Sequence, residues 1–187
     1  MDHITPIELG GDPWKMSNLQ TMCFMCHQSK RGREAHGDKD KNQVTLVCGP
    51  PGAGKTTYVR DNMRPTSDLV LDIDRIYVAL SGMGKYSKPD SLLPFVTAAF
   101  DAVVGQLSDG VGDLRHAWVI TCSPTEAERG RLGEALGAKV VVLDTDATTC
   151  IRRIEKDPSR AAQAALWEAL VHRWWDRYTK GEETCQE

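Results

Sequence analysis

Residues 49–56 read Gly-Pro-Pro-Gly-Ala-Gly-Lys-Thr and follow directly on the apolar run Val44-Thr45-Leu46-Val47-Cys48. Glycines let the backbone turn so that successive N–H groups face inward, and such a concave set of amides receives phosphate oxygens. A loop of this pattern wraps a triphosphate with Gly49, Pro50, Pro51, Gly52, Ala53, Gly54, Lys55, Thr56 and Thr57. Lys55 reaches the β- and γ-phosphates, and the Thr56 hydroxyl can ligate Mg²⁺. The strand before the loop and the helix-compatible stretch 56–63 after it supply the context that the motif requires. A nucleoside triphosphate is therefore the first expected ligand.

The rest of the chain has to fold around that loop. Short β-branched or apolar runs recur at 68–73, 117–121 and 139–143, separated by helix-compatible stretches of which 92–106 and 125–136 are the clearest. Ser123 or Thr125 can cap the second of these helices, and Gly137 sits where a left-handed C-terminal residue is wanted. Alternating β and α signals demand a parallel sheet covered by helices on both faces, so the expected fold is an α/β P-loop domain. With 187 residues the chain can bury one full core beside a small module. Residues 31–43 carry charge and glycine with almost nothing apolar, as a solvated connector does. The expected division is a small segment at 1–34, a linker at 35–42, the main domain at 43–180 and a tail at 181–187.

Composition narrows the setting. A formal net charge of −3 gives no global attraction to nucleic acid, so any such contact needs a local patch. No apolar stretch reads as long enough to span a bilayer, and Met1-Asp2-His3 is too polar to open a signal peptide. Six cysteines beside a nucleotide loop point to thiols or metal ligands rather than a disulfide framework. The expectation is a cytoplasmic protein with no membrane partner. Cys48, Cys122 and Cys150 lie in or beside apolar segments and read as small buried hydrophobes.

Chemistry beyond the loop centres on two groups. In Leu71-Asp72-Ile73-Asp74 two carboxylates stand two residues apart at the end of the second strand. If the strand continues they point the same way, beside the phosphates. There Asp74 can accept a proton from an attacking hydroxyl, with Asp72 as its structural or metal-linked neighbour. The plainer alternative is a solvated strand end and a helix N-cap. After the fourth strand, Arg152, Arg153 and Arg160 can form a lid over a transferring phosphoryl group, with Arg153 and Arg160 favoured, or else a charged solvent face. At the end of the domain Trp167, Leu170, Val171, Trp174 and Tyr178 recur at helical spacing, which predicts a core-packing helix rather than a base-stacking platform.

Taken together, the loop, the Asp-x-Asp pair, the lack of an acidic residue closing Trp118-Val119-Ile120-Thr121 and the arginine-rich segment resemble the phage-type polynucleotide kinase branch of P-loop kinases over residues 43–180. That resemblance implies transfer of the γ-phosphate of ATP to a polynucleotide 5′-hydroxyl, with Mg²⁺ as cofactor, nucleic acid as partner and Asp74 as the activating carboxylate. In the family an arginine often follows that aspartate at a short distance to hold the acceptor phosphate. Here Arg75 is immediately next, with Tyr77 beyond.

The N-terminal segment carries a second pattern. A β-hairpin followed by a helix can bring His3, Asn18 and His27 around one divalent cation. Asp2-His3, Asn18-Leu19-Gln20 and Cys23-Phe24-Met25-Cys26-His27 resemble, in order and spacing, the HNH nuclease motif. By that resemblance His3 is the general base, Asn18 positions its ring, and Asp2 and His27 hold the catalytic metal. Cys23 and Cys26 supply half of a four-thiolate site for Zn²⁺ or another divalent metal. The family usually carries a further Cys-x-x-Cys upstream. The expectation is that a longer reading frame supplies it, a GTG codon being read as Met1, with a decayed remnant or a completing partner chain as alternatives. Lys30, Arg31 and Arg33 suit phosphate contact or a solvated basic face.

The leading expectation is ATP-dependent phosphoryl transfer to a nucleic-acid hydroxyl by a kinase domain joined to an HNH-like segment. Three alternatives stand beside it: a kinase of a small molecule or modified base, a metal-dependent nuclease regulated by its ATP-binding domain, and a noncatalytic nucleotide binder.

Overall fold

A computed structural model of the chain describes residues 2–5, 7, 10–21, 43–111 and 114–183, with side chains to residue 178. Four parallel strands form the main sheet: β3 (Gln43–Cys48), β4 (Asp68–Asp72), β5 (His116–Ile120) and β6 (Lys139–Val142), in the order β4-β5-β3-β6. Strands β3 and β5 are central and buried on both faces, which is why their sequences run apolar instead of alternating with polar residues. Successive side chains still point to opposite faces. Val44, Leu46, Cys48, Ala117 and Val119 join Leu71, Leu107 and Leu136 in one cluster, while Val47, Trp118 and Ile120 pack with Val59 in another.

The helices that cover these faces are α1 (Lys55–Asn62), α2 (Ile73–Ser81), α3 (Leu93–Ser108), α4 (Glu126–Leu136), α5 (Ala147–Glu155), the single turn α6 (Pro158–Ala161) and α7 (Ala164–Glu183). Thr125 caps α4 in a reciprocal box with Glu128, and Gly137 ends it at φ 58°. Helix α7 contains the whole aromatic spacing, and before it Asp157-Pro158 starts a separate turn, Pro at the first helical position and Asp157 accepting from Ser159 N. A third apolar cluster, Ala53, Cys150, Ile154 and Val171, ties the phosphate-loop segment to α5 and α7.

Three sequence expectations change here. The second strand does not continue through Ile73: it stops at Asp72, whose carboxylate caps α2 by accepting from Asp74 N at 3.0 Å. Cys122 is exposed, because β5 ends two residues earlier and the chain leaves the sheet there, whereas Cys48 and Cys150 are buried as expected. The 19 residues Asp90–Ser108 are, by length and composition, long and apolar enough to cross a membrane, with a mean hydropathy of 1.3 over an 18-residue window. Val96 and Leu107 on this stretch are buried, and Phe100, Val103 and Val104 pack on the sheet cluster.

At the N-terminus β1 (Asp2–His3) pairs antiparallel with β2 (Leu19–Gln20), His3 opposite Leu19. The expected helix after this hairpin, with Cys23, Cys26, His27, Lys30, Arg31 and Arg33, lies outside the described residues.

The edge of the main sheet remote from the phosphate loop is pinned by Asp68. Its carboxylate receives Arg115 Nε at 2.7 Å, Arg64 N at 2.9 Å and Trp118 Nε1 at 3.0 Å, and Arg115 Nη2 completes a bidentate pair. Burial alone would raise the Asp68 carboxyl, but these donors outweigh it and hold it well below the usual carboxylate range. A depressed folded-state value contributes stability at neutral pH that is lost as pH falls through it. Asp68→Asn is therefore expected to lower the melting temperature at pH 7 and to flatten the stability profile below about pH 4, as thermal melts across pH would show.

Candidate active site

The C-terminal ends of all four strands lie on one edge of the sheet, and a cavity of about 740 Å³ opens there. The phosphate loop forms its floor. Gly52 has φ 82°, and a Cβ added there would lie 2.7 Å from the Cys150 carbonyl oxygen, so the turn admits only glycine. Pro51, Gly52, Gly54, Lys55, Thr56 and Thr57 line the cavity. Pro50 and Ala53 are buried beneath it, and Gly49 packs on Leu143, so these three shape the loop from below. Lys55 Nζ donates to the carbonyls of Gly49 at 2.7 Å and Pro50 at 2.9 Å and approaches Cys122 Sγ at 3.6 Å.

Across from the loop stand Asp72 and Asp74, both lining the same cavity. They reach it by a route other than a continuing strand: one is the N-cap of α2 and the other its second residue. Asp74 Oδ1 pairs with Lys88 Nζ at 2.5 Å. Asp72 is 5% exposed, and burial pushes its carboxyl up, further raised by the neighbouring Asp74 charge and opposed by the Asp74 amide, Lys85 and Arg75. A desolvated carboxylate with one N–H donor and a threonine hydroxyl, Asp72 and Thr56, line the same cavity, and oxygen donors of this kind are what a hard cation such as Mg²⁺ takes. These residues fit that ion.

The arginines arrive from two helices. Arg153, in the last turn of α5, donates from Nη1 to Ala53 O at 3.0 Å and Gly52 O at 3.3 Å and so lies over the loop. Arg160, on α6, pairs with Asp157 at 3.1 Å, donates to the Tyr86 hydroxyl and sits over the rings of Tyr86 and Trp167, 4.4 and 5.2 Å from their centroids. Both line the cavity; Arg152 is exposed and does not. Lys85, Tyr86, Lys88 and Trp167 also line it and escaped the sequence reading. For the first three the one signal is the Gly-Met-Gly-Lys-Tyr-Ser-Lys-Pro run at 82–89, a glycine-bearing basic loop directly after a helix, whereas Trp167 reads by its helical spacing as core packing.

In the N-terminal hairpin, Asn18 and His3 both bond the backbone of one turn. Asn18 accepts from Thr5 N at 2.8 Å and spends both amide hydrogens on the carbonyls of Thr5 at 3.1 Å and Asp12 at 3.0 Å. It braces the turn that carries Pro13, whose carbonyl oxygen meets the His3 ring at 3.2 Å, so its link to that ring runs through the backbone. Asp2 accepts from Gln20 Nε2 at 3.1 Å. Among the described residues no three His, Cys, Asp or Glu side chains converge as a metal cluster.

A family model described as AAA domain matches residues 44–180, and one described as HNH endonuclease matches residues 1–33. The chain is 41% identical over 44 residues to the DNA annealing helicase and endonuclease ZRANB3 of Homo sapiens, covering 24% of this chain and 4% of that one. A chain of the Pnkp1/Rnl/Hen1 RNA repair complex superposes with a TM-score of 0.58 at 12% identity, covering 80% of this chain. This chain spans 48% of that neighbour's length. A gluconokinase from Sinorhizobium meliloti 1021 is similar at 13% identity and a TM-score of 0.46, over 72% of this chain and 75% of its own. The fold is that of a P-loop kinase.

Because Asp72 is raised, its ionised form costs the nucleotide-free protein stability, and that cost grows as pH rises through the shifted value. Asparagine keeps the N-cap and removes the charge. Asp72→Asn is expected to raise the melting temperature by a few degrees at pH 7 without ligand. It is also expected to remove most of the extra stabilisation that Mg²⁺ adds to nucleotide, both read by scanning fluorimetry.

Proposed function

The chain belongs to the AAA domain family, and from that premise we propose that it is a kinase that moves the γ-phosphate of ATP to the 5′-hydroxyl end of a polynucleotide. One observation carries the reading: Asp74 and the Lys55 loop face a single cavity from opposite walls. The loop amides and Lys55 hold the triphosphate, exchanging the carbonyl partners of Lys55 for phosphate oxygens. Lys88 fixes the orientation of Asp74, which takes the acceptor proton as the hydroxyl oxygen bonds to the γ-phosphorus and the bond to the β,γ-bridging oxygen breaks, releasing ADP. Arg153 turns its guanidinium from the Gly52 and Ala53 carbonyls to the moving phosphoryl group. Thr56 and Asp72 would hold Mg²⁺, which when bound neutralises charge on the phosphates.

A nucleic-acid acceptor is supported by company. The HNH endonuclease model covers the N-terminal residues, and the fold is shared with a chain of an RNA repair complex. We assign no step to His3, Asp2 or the residues that the resemblance pairs with them. An ATP substrate and free thiols at Cys48, Cys122 and Cys150 suit a cytoplasmic setting.

With γ-labelled ATP, label is expected in 5′-hydroxyl oligonucleotides. Label confined to nucleosides or other small molecules would replace the polynucleotide reading. Asp74→Asn is expected to lower kcat by about 10²–10⁴-fold with ATP affinity retained. Lys55→Met is expected to lose both ATP affinity and turnover; a Lys55→Met protein that binds ATP normally would count against the loop assignment.

A further inference from the structure

A second opening of about 920 Å³ adjoins the catalytic cavity and shares Pro51, Tyr86, Lys88, Cys122 and Trp167 with it. One side is the 86–89 loop and the other is a face of α7. We propose that this groove seats the nucleotides that follow the 5′-hydroxyl of a single-stranded polynucleotide, an inference that rests on the kinase reading above.

Position selects the acceptor over ATP. The groove touches Pro51 but none of Gly54, Thr56 or Thr57 and no residue of α5, so it lies off the half of the loop where the triphosphate runs. What it shares with the catalytic cavity is the acceptor wall: Lys88 lines both and is bonded to Asp74. A strand in the groove therefore leads to the carboxylate assigned to activate its end.

The chemistry fits a strand with unstacked bases. Trp167, Leu166 and Leu170 give the groove flat and aliphatic surface, and Leu166 is 54% exposed, an open apolar side chain beside a polar rim. Arg173, Arg177 and Lys88 line it, Lys88 paired with Asp74. Glu128 holds Arg177 in place, while Arg173 has no ion-pair partner among the described residues. Aromatic faces interleaved with cations bind single strands through base stacking and phosphate neutralisation without needing base order. A chain with a net charge of −3 attracts nucleic acid only through such a local patch. The spacing in α7 predicts core packing throughout. Val171 does pack inward, but Leu166, Leu170 and Arg173 line the groove, with the buried Trp174 at its base.

The test uses the full chain and a 3′-fluorescein-labelled, 5′-hydroxyl single strand of about ten nucleotides. Anisotropy titrations compare wild type with Arg173→Glu and Leu166→Ser, both at exposed positions, after thermal melts confirm folding. Each substitution is expected to weaken strand binding about tenfold. Each is also expected to raise KM for the strand more than KM for a nucleoside 3′-monophosphate acceptor. Unchanged strand affinity in both variants, or equal KM increases for the two acceptors, overturns the groove. Strand binding that depends on Arg173 without any phosphorylation would keep the groove and reject the kinase reading. Phosphorylation of the strand at wild-type KM by both variants would do the reverse.

Discussion

Everything at the functional edge depends on one backbone turn whose amides have no room for side chains behind them. Gly49 and Gly52 lie against the carbonyl oxygens of Leu143 and Cys150, at 2.6 and 2.7 Å from where a Cβ would stand. The loop is therefore clamped between the end of β6 and the body of α5. Thr145 Oγ1 adds a bond to Ala53 O at 3.1 Å from the same side. Clamping matters because a phosphate site acts through amides already aimed before ligand arrives, so no reorganisation is charged to binding. The buried cluster of Ala53, Cys150, Ile154 and Val171 extends that clamp to the terminal helix. Apolar packing far from the phosphates thus sets the geometry of the loop that receives them.

A second consequence follows for the other wall. Trp174 Nε1 donates to Cys122 O, and Arg129 donates to the carbonyls of Ser123 at 3.3 Å and Pro124 at 2.6 Å. The segment leaving β5 is irregular, yet its carbonyls are satisfied by side chains from α4 and α7, as buried or half-buried backbone requires. This is how an exposed cysteine comes to stand 3.6 Å from Lys55 on a stretch that lacks an acidic residue. With no carboxylate on that stretch, the anionic groups lining the cavity with Thr56 come from α2 and the start of α6, and Asp72, the buried capping residue of α2, is one of them.

How far the sequence discloses this differs by residue. The phosphate loop, the capping of α4 and the parallel sheet were legible because each rests on local chemistry: glycine freedom, a Thr-x-x-Glu box, apolar runs of strand length. Asp72 and Asp74 were legible as a pair, but their geometry was not. A strand and a helix N-terminus both accept Asp-x-Asp, and the packing of α2 decides between them. Lys85, Tyr86, Lys88 and Trp167 stayed hidden because they come from a loop and a helix separated by about eighty positions, and only tertiary folding brings a ring from α7 onto Arg160. For Asn18 the motif disclosed the residue but not the route: its three backbone bonds hold the turn whose Pro13 carbonyl meets the His3 ring.

The two arginines over the site differ in what they must give up to meet a phosphoryl group. Arg153 is bonded to neutral carbonyls, and its nearest guanidinium nitrogen lies 3.6 Å from where a Cβ on Gly54 would be. Turning toward a phosphate exchanges neutral acceptors for an anionic one, a charge-assisted gain over a short path. Arg160 instead already has a carboxylate, a phenol oxygen and two ring faces, with its side chain 17% exposed. Leaving them would strip Asp157 of its cation and separate Tyr86 from Trp167, whose rings meet edge to face at 5.1 Å. The economical division of labour keeps Arg160 as the bolt that joins α6, the 82–92 loop and α7 into one wall. On the kinase reading proposed above, Arg153 is then the guanidinium that follows the charge as it moves.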